Sequence, residues 1–479
     1  MAGKAMIAME KKGEASHLTD EKVGSEVTEL KIAYIGAGSR GWAHALMRDL
    51  ALCPFLAGEV RMYDIDPEAA AFNARYATWV HTHPSVVSKW TWTAVKSLAA
   101  CLKGADFVFA SIMPGPIEAM KVDLEMPERH GIFQAVGDTV GPGGQIRALR
   151  SIDDYHVIGR AVAEHAPKAW VLNFTNPMTV CTRTLFEAFP AIKAYGCCHE
   201  VFGSQYALAN IYADSTGLPR PGRQEVDINV LGINHFTWID KAAYRGVDLL
   251  VVLRKHLEEP GVIRRYTKAQ ITKRNNTFIN HRQVSWDLFR RFGVLGAAGD
   301  RHLAEFVPWY LTDRDSCLRW GFALTPYAHR IKRWISLPKA YRKRMAEGTF
   351  PALNRSGEEY INQLMAILGR TAFRTNVNLP NVGQMGKTPL GAVVETNALF
   401  SRDSVQPLAS GSLPDNVNTL VQRHVLNQET LVTAACQGDK DLAFQAFLND
   451  PLVNIDADDA WKLFNQMLAK TNYRFKKKR

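Results

Sequence analysis

The segment Leu-Lys-Ile-Ala-Tyr-Ile-Gly-Ala-Gly-Ser-Arg-Gly, residues 30–41, decides the fold. Its apolar first half is typical of a buried parallel strand, because both faces of such a strand are covered. Its second half fits the pattern Gly-x-Gly-x-x-Gly. Between a strand and a helix, such glycines let backbone N–H groups approach a pyrophosphate at the helix N-terminus. The residues expected to bind a dinucleotide are Gly36, Gly38, Ser39, Arg40 and Gly41.

The segments that follow repeat the alternation of strand and helix. Residues 59–66 predict a second strand, in which Asp64 lies 28 residues after Gly36. A carboxylate there would hold a ribose hydroxyl and favour NAD over NADP. Apolar runs at 105–112 and 168–175 predict further strands, and helical patterns separate them. The sequence therefore predicts an α/β fold with a Rossmann-type parallel sheet.

The chain is long enough for more than one domain. We expect a flexible N-terminal arm over residues 1–30 and an NAD-binding Rossmann domain over residues 31–200. Residues 201–479 predict a second, α+β and mainly helical domain for substrate binding, metal binding and oligomerisation. Its apolar character suggests subunit contacts, so a homodimer or homotetramer is expected.

Composition excludes several classes of protein. Hydrophobic residues make up 47% and charged residues 22%, as in an ordinary globular protein. The seven cysteines form no Cys-x-x-Cys pair, which argues against a disulfide framework and favours a cytoplasmic location. No apolar run approaches the roughly 18 residues of a membrane span. No motif for reading nucleic acid is present, so a membrane or nucleic-acid partner is not expected.

The formal net charge of +11 is concentrated in one segment. Residues 251–350 contain 20 lysines and arginines against 8 aspartates and glutamates. An anionic substrate or partner would explain this surplus. Solvated basic helices would explain it equally, and the sequence leaves both interpretations open.

Polar and metal-binding side chains follow several predicted strands. Asn173 and Asn176 lie at the end of one strand, where ligands collect in open α/β sheets. We expect Asn173 to face a ligand and Asn176 to cap the next helix. Cys198 and His235 follow two other strands and could share a divalent metal, although such a pair is more often part of a core. Residues 299–305 cluster ionisable groups beside a glycine, and a capped helix start would explain them too.

These segments occur in an order that resembles glycoside hydrolase family 4, the NAD- and manganese-dependent glycosidases. The resemblance covers about residues 30–450. The motifs that carry it are GAGSRG (36–41), MYDID (62–66), GDTVGPGG (137–144), NFTNPM (173–178), GCCHEV (196–201), GINHF (232–236), GDRHLAEF (299–306) and NLPNVGQMGKTPLGAVVE (378–395).

The resemblance implies that Cys198 and His235 bind Mn²⁺. The Cys-His-Glu-Val segment is similar to the branch that acts on unphosphorylated α-glucosides, so an α-glucosidase is the main expectation. An α-galactosidase, or a glycosidase for anionic sugars such as α-glucuronides, is the alternative that the basic segment keeps open. An NAD-dependent sugar dehydrogenase is a second alternative, and a non-enzymatic NAD-sensing or nucleic-acid-binding protein is a third.

The resemblance also implies a mechanism. The sugar is oxidised at C3, loses its C2 proton, eliminates the C1 substituent and is then reduced again, which departs from the two-carboxylate scheme. Asp300 is the expected base, with Tyr266 in reserve, and His199 is the expected acid. The residues expected to contact substrate are Asn173, Asn176, Glu200, Arg301 and His302.

Overall fold

A computed structural model describes residues 27–273 and 276–476. The predicted arm over residues 1–30 lies mostly outside the described residues, and from Thr28 the chain is already part of the first strand. No helix in the described part of the chain is both long and apolar enough to cross a bilayer.

Strands and helices alternate in the first half of the chain. The strands are β1 Thr28–Ile35, β2 Leu56–Tyr63, β3 Trp90–Ala94, β4 Phe107–Ala110, β5 Trp170–Asn173, β6 Lys193–Gly196, β7 Asp227–Ile233, β8 Phe236–Tyr244, β9 Val247–Asp248, β10 Leu295–Gly296, β11 Phe373–Pro380, β12 Val393–Ser401 and β13 Ser404–Pro407. The α-helices are α1 Trp42–Ala51, α2 Pro67–Val80, α3 Leu98–Leu102, α4 Ile117–Glu128, α5 Gly141–His165, α6 Met178–Ala188, α7 Glu200–Thr216, α8 Leu249–Leu257, α9 Lys268–Thr272, α10 Gln283–Phe292, α11 Asp300–Leu303, α12 Ser316–Arg319, α13 Tyr327–Ala346, α14 Tyr360–Ile367, α15 Asp415–Gln437, α16 Lys440–Leu448 and α17 Ala457–Lys470.

A nine-stranded sheet forms the centre of the molecule, with the strand order β13-β12-β11-β6-β5-β4-β1-β2-β3. Strands β1 to β6 are all parallel to one another, which confirms the predicted Rossmann-type sheet. The last four residues of β1 are all buried, as expected for an apolar strand covered on both faces. Because β5 and β6 are parallel neighbours, the residues that follow them meet at one edge of the sheet.

Strand β3 and helix α4 are among the elements that were not predicted. Strand β3 alternates buried tryptophans with exposed threonines at the edge of the sheet, and therefore lacks a continuous apolar run. Helix α4 carries Asp123, which forms a buried ion pair with Arg150 of α5. A polar pair of this kind does not appear as apolar periodicity, so the sequence pattern does not reveal the contact.

The second half of the chain contributes to both sheets of the molecule. Strands β7, β8, β9 and β10 form a separate antiparallel sheet. Strands β11, β12 and β13 instead extend the parallel sheet, since β11 pairs with β6. A side-chain bond from Asn397 in β12 to the Ile228 carbonyl in β7 joins the sheets at 2.6 Å. The two halves of the chain are thus joined through a continuous sheet.

Helix α13 crosses from the second half onto the glycine turn of the first half. The Tyr341 hydroxyl donates to the Arg40 carbonyl at 3.1 Å, and its ring stacks on His44 at 4.0 Å between centroids. The Arg40 guanidinium lies 3.3 Å from the centre of the Trp334 ring. No residue of α13 is fully buried, which explains how the helix can be so rich in lysine and arginine.

Candidate active site

The glycine turn between β1 and α1 has the form that its sequence predicts. Gly36 has a φ of +84°, and a Cβ atom there would collide with the Ser111 carbonyl oxygen, so only glycine fits. The Gly38 N–H donates to the Asp64 carboxylate at 2.7 Å. Asp64 thus lies beside the turn, in the position expected for a ribose-binding carboxylate. The Asn73 amide, which was not predicted, donates to the Ala37 carbonyl and stiffens the turn.

A cavity of about 770 Å³ begins at this turn and runs along the carboxyl ends of the parallel strands. We call it the central cavity. Arg40 and Gly41 line one end, and Phe174 and Asn176, which follow β5, line its floor. Cys198, directly after β6, lies farther along it. This edge of an open α/β sheet is where ligands bind.

Three potential metal ligands meet in the central cavity. One atom from each of Asp138, His235 and His302 lies within 4.8 Å of the others, and we call these three residues the ligand group. The rings of His235 and His302 are 4.0 Å apart between centroids. Thr139, next to Asp138, forms a 3.0 Å hydrogen bond with Nδ1 of His235. Asp138 was not predicted; it is part of the GDTVGPGG motif, for which spacing alone gave no role.

The electrostatics of the ligand group suit a divalent cation. Burial alone would raise the pKa of Asp138, but the nearby imidazoles and guanidinium groups lower it to about 2, so the carboxylate is ionised. Burial and the neighbouring His302 lower the pKa of His235 to about 3, which leaves its lone pair free. The buried Nδ1 of His302 has no hydrogen-bond partner among the described residues. A carboxylate with neutral imidazoles is a donor set that Mn²⁺ accepts.

Cys198 lines the same cavity as His235, as the predicted metal pair requires, but it lies outside the ligand group. Burial, together with the charges of Glu395 and Glu200, holds the pKa of the Cys198 thiol well above its usual range. A thiolate at this position therefore needs a cation beside it. Cys197 also reaches the cavity, but its thiol donates to the Gln363 side chain at 3.3 Å.

A buried carboxylate organises the backbone around Cys198 and His235. Glu395 accepts hydrogen bonds from the amides of Asn234, Asn376 and Asn378 at 3.0, 2.6 and 3.1 Å. Asn376 also donates to the Cys198 carbonyl. Glu395 ends the NLPNVGQMGKTPLGAVVE motif, which explains why that segment belongs with the site although it lies far along the chain.

His199, the predicted acid, is held by a carboxylate. Its Nδ1 lies 2.9 Å from Oε1 of Glu358, and its ring faces the central cavity. Burial would lower the pKa of His199, but Glu358 outweighs it and raises the pKa to about 9. The imidazole therefore carries a proton at neutral pH. A role as general acid stays a prediction, and Glu358 is a partner that the sequence did not indicate.

Two predicted substrate contacts are tied to the ligand group instead. His302 belongs to the ligand group itself. Glu200 accepts from the Gly299 N–H at 2.9 Å, and its other oxygen lies 3.6 Å from Nε2 of His302. Glu200 still lines the cavity, so a substrate contact through it stays a prediction.

The structure corrects the predicted base. Asp300 is completely buried and does not line the cavity. Its carboxylate accepts from the N–H groups of Gln283, Val284 and Ser285 at the start of α10, at 2.9 to 3.1 Å. Burial raises the pKa of Asp300 to about 6. The carboxylate caps α10. The alternative interpretation, a capped helix start within residues 299–305, is also wrong, because Gly299 is the N-cap of α11 and no side chain caps that helix.

The reserve candidate for the base, Tyr266, also lies outside the lining of the central cavity. Its hydroxyl accepts from Nε of Arg264 at 2.8 Å, and its ring stacks on His281 at 4.4 Å between centroids. Neither residue chosen from the sequence is therefore placed to remove a proton from a sugar in this cavity.

Asn173 does not face the cavity and Asn176 does not cap a helix, so these two predictions are wrong. Asn173 is fully buried, and its side-chain oxygen accepts from the Tyr155 hydroxyl and the Thr175 N–H at 2.5 and 2.8 Å. Asn176 lines the cavity, and its buried side-chain oxygen has no partner among the described residues. Helix α6 receives no side-chain cap, since Pro177 occupies its N-cap position. Asn176 remains a candidate for a sugar contact, whereas Asn173 supports the fold.

Cationic side chains predominate in the lining of the central cavity. Five arginines line it, whereas Asp138 and Glu200 are the acidic residues of its described lining. Three of the arginines come from the basic segment 251–350. That segment therefore contributes to the site as well as to the exterior surface. The lining arginines are Arg40, Arg147, Arg301, Arg330 and Arg333.

Known proteins resemble this chain along most of its length. An α-galacturonidase of Thermoanaerobacterium saccharolyticum is 50% identical over 93% of this chain and 96% of its own length. An α-galacturonidase of Bacillus subtilis is 46% identical over 93% of this chain and 98% of its own. An α-glucosidase of Erwinia rhapontici is 25% identical over 88% of this chain and 94% of its own.

Solved structures and family models agree with the fold. The LplD protein of Bacillus subtilis superimposes with a TM-score of 0.86 at 46% identity, covering 92% of this chain and all of the other. A 6-phospho-α-glucosidase from gut microorganisms, solved with NAD and Mn²⁺, has a TM-score of 0.76 at 18% identity over 94% of this chain and all of the other. The model of the family 4 glycosyl hydrolases matches residues 31–213, and the model of their C-terminal domain matches residues 230–453. The chain belongs to the family 4 glycosyl hydrolases.

Proposed function

We propose that this enzyme is an α-galacturonidase that uses NAD and a divalent metal ion. The observation that carries the proposal is the cavity lining, which contains five arginines and two carboxylates, one of them in the ligand group. Such a lining favours an anionic sugar over a neutral one. The relatives with 46 and 50% identity, both α-galacturonidases, support the same substrate class.

This proposal replaces the α-glucosidase expectation with its alternative. The Cys-His-Glu-Val segment led to α-glucosidases, but the α-glucosidase relative is only 25% identical. The motif is only four residues long and adjoins the predicted metal ligand. The five arginines, in contrast, line the cavity as a whole and would attract a negatively charged sugar. The cavity charge therefore outweighs the motif.

The residues of the site fit both cofactors. The glycine turn and Asp64 would hold NAD, and the ligand group with Cys198 would hold Mn²⁺. When bound, NAD supplies a reversible hydride acceptor and Mn²⁺ a Lewis acid for the hydroxyl oxygens of the sugar.

The side chains of the enzyme do the rest. Asp138, His235 and His302 would hold the cation, which would act on the hydroxyl side of the sugar. His199, protonated and oriented by Glu358, is available to give a proton to the leaving oxygen. Helix α13 covers the cavity beside the glycine turn and limits the access of water to the sugar.

A panel of nitrophenyl glycosides tests the proposal. The purified enzyme, with NAD⁺, Mn²⁺ and a reductant, receives the α-D-galacturonide, α-D-glucuronide, α-D-galactoside and α-D-glucoside. We expect nitrophenol release to be fastest from the galacturonide, to stop with EDTA, and to leave no net NADH. Faster release from a neutral glycoside would overturn the proposal, and NADH accumulating with product would identify a dehydrogenase instead.

A further inference from the structure

Two partly buried arginines of the central cavity, Arg301 and Arg330, differ in their partners from the buried Arg150 and Arg223. Arg150 and Arg223 each form an ion pair with a buried carboxylate. Arg301 and Arg330 form no ion pair with any of the described residues, although both line a cavity with few acidic groups. A guanidinium removed from water without a counter-charge is costly, so its position in a ligand cavity needs a reason.

The bonds that Arg301 and Arg330 do form are to neutral groups and fix their direction. Arg301 donates from Nη2 to the Thr325 hydroxyl. Arg330 donates from Nη2 to the Val136 carbonyl, and its Nη1 lies 3.6 Å from the Met120 sulfur. These contacts hold each guanidinium in place without pairing it directly with a carboxylate.

Each of the two guanidinium groups also has an unused donor. The Nε atoms of Arg301 and Arg330 are buried and have no hydrogen-bond partner among the described residues. An orphaned buried donor is rare in folded proteins and indicates a missing partner.

Both arginines are linked to the ligand group, Arg301 through the chain and Arg330 through a hydrogen bond. Arg301 directly precedes His302. Arg330 holds the carbonyl of Val136, two residues before Asp138. The negative charge of Asp138 favours the charged form of both guanidinium groups. Both arginines and the ligand group line the same cavity, so an anion bound by the arginines would share that cavity with a metal held by the ligand group.

We propose that Arg301 and Arg330 together bind the carboxylate of the uronic acid and determine the enzyme's specificity for it. In a pyranose, the carboxylate on C5 lies across the ring from the hydroxyls on C2 and C3. The ligand group would hold the hydroxyl side while the arginines hold the acid side. This inference rests on the proposed function and assigns its substrate charge to two named residues.

The pair would also reject neutral sugars. A galactoside carries a CH₂OH group in place of the carboxylate and would leave both guanidinium groups buried and unpaired. A site built around buried polar groups discriminates strongly against a substrate that cannot pair with them. Specificity would then arise from the cost of a neutral sugar as much as from the attraction of an acidic one.

Two variants and a matched control test the pair. Arg301→Met and Arg330→Met remove the charge while keeping most of the side-chain volume. We expect kcat/KM for nitrophenyl α-D-galacturonide to fall about 10- to 100-fold in each variant. The value for the α-D-galactoside should rise, because one unpaired guanidinium no longer opposes its binding. Lys332→Met removes a charge from the exposed face of the same helix and should change neither value.

Binding measurements keep the test decisive if a methionine variant folds poorly. Arg330→Lys keeps the charge but loses the planar fork, and should bind D-galacturonate about 10-fold more weakly by titration calorimetry with NAD⁺ and Mn²⁺. Equal binding of D-galacturonate and D-galactose by the unmodified enzyme would overturn the inference. If the enzyme cleaves galacturonides and the variants keep its preference, the proposed function stands and the role of these two arginines is refuted.

Discussion

Two aspartates show how far the role of a residue depends on its surroundings. Asp138 and Asp300 each follow a glycine in a family motif, and Asp300 had the stronger case as a site residue on sequence. In the fold, Asp300 receives three backbone N–H groups at the start of α10 and has no access to the cavity. Asp138 instead faces two imidazoles in the cavity. A motif thus locates a charged residue without giving the direction of its side chain.

The two aspartates should respond differently to the same substitution. In Asp138→Asn, we expect the Mn²⁺ concentration for half-maximal activity to rise at least about 10-fold, because an anionic ligand is lost. In Asp300→Asn, we expect that concentration to be unchanged and the free energy of unfolding to fall by about 1–2 kcal/mol, because a helix cap is weakened. Mn²⁺ titrations of activity and urea unfolding measure these effects. The opposite pattern would restore Asp300 to the site.

The parts of the site that the sequence indicated are those at the ends of strands. Cys198, His199 and His235 follow predicted strands, which places them at strand ends, and the family resemblance implied that Cys198 and His235 act together. Glu358 and Arg330 belong to a loop and an exposed helix of the second half. Their contacts with the site depend on how that half folds back, which no local pattern of residues specifies.

Among the elements, helix α13 shows most clearly what periodicity can and cannot predict. Its helical character agrees with the mainly helical domain that the sequence predicts over residues 201–479. Its place was not, since it has no buried apolar stripe that would indicate a packing partner. It is instead held by polar and aromatic contacts, such as that of Tyr341 with the Arg40 carbonyl. Strand β3 was missed for the related reason that an edge strand is only half apolar.

The contact between α13 and the glycine turn should affect the affinity for NAD. The Trp334 ring supports the Arg40 guanidinium, which belongs to the predicted pyrophosphate-binding turn. A cation–π contact of this kind contributes about 0.5–2 kcal/mol. We therefore expect Trp334→Ala to raise the Kd for NAD⁺ about 3- to 30-fold by titration calorimetry. Ile335→Ala, an exposed neighbour on the same helix, should leave the Kd unchanged; equal effects of the two would show that only helix stability was altered.

At the scale of the whole molecule, the nine-stranded sheet joins the two domains that the sequence predicts. The predicted boundary at residue 200 separates a Rossmann domain from a substrate domain, and the family models divide the chain between residues 213 and 230. Strands β11 to β13 come after that boundary in the chain, but they belong to the same nine-stranded sheet as the Rossmann strands. Because the two halves share this sheet, we expect them to unfold together. The predicted homo-oligomer stays a prediction.

Two buried histidines of the first half connect stability to pH. Burial lowers the pKa of His44 and of His81 to about 4 in each case. His44 bonds to Asn73 and stacks on Tyr341 of α13, and His81 bonds to the Met47 carbonyl at 3.1 Å. In the unfolded chain a histidine has a pKa of about 6.5. Both therefore stabilise the fold above pH 6.5, and this contribution is lost as the pH falls towards 4.

Substitution of His44 should remove part of this acid sensitivity. Between pH 7.5 and 5.0, protonation of the unfolded chain at this one residue costs the fold about 2 kcal/mol, given a folded pKa near 4. In His44→Gln, which can keep a bond to Asn73, the difference in unfolding free energy between these pH values should shrink by about that amount. Urea unfolding at both pH values measures it. The variant's stability at pH 7.5 alone is not informative, because the change in ring packing also alters it. An unchanged difference between the two pH values would mean that His44 takes up its proton as readily in the folded enzyme as in the unfolded chain.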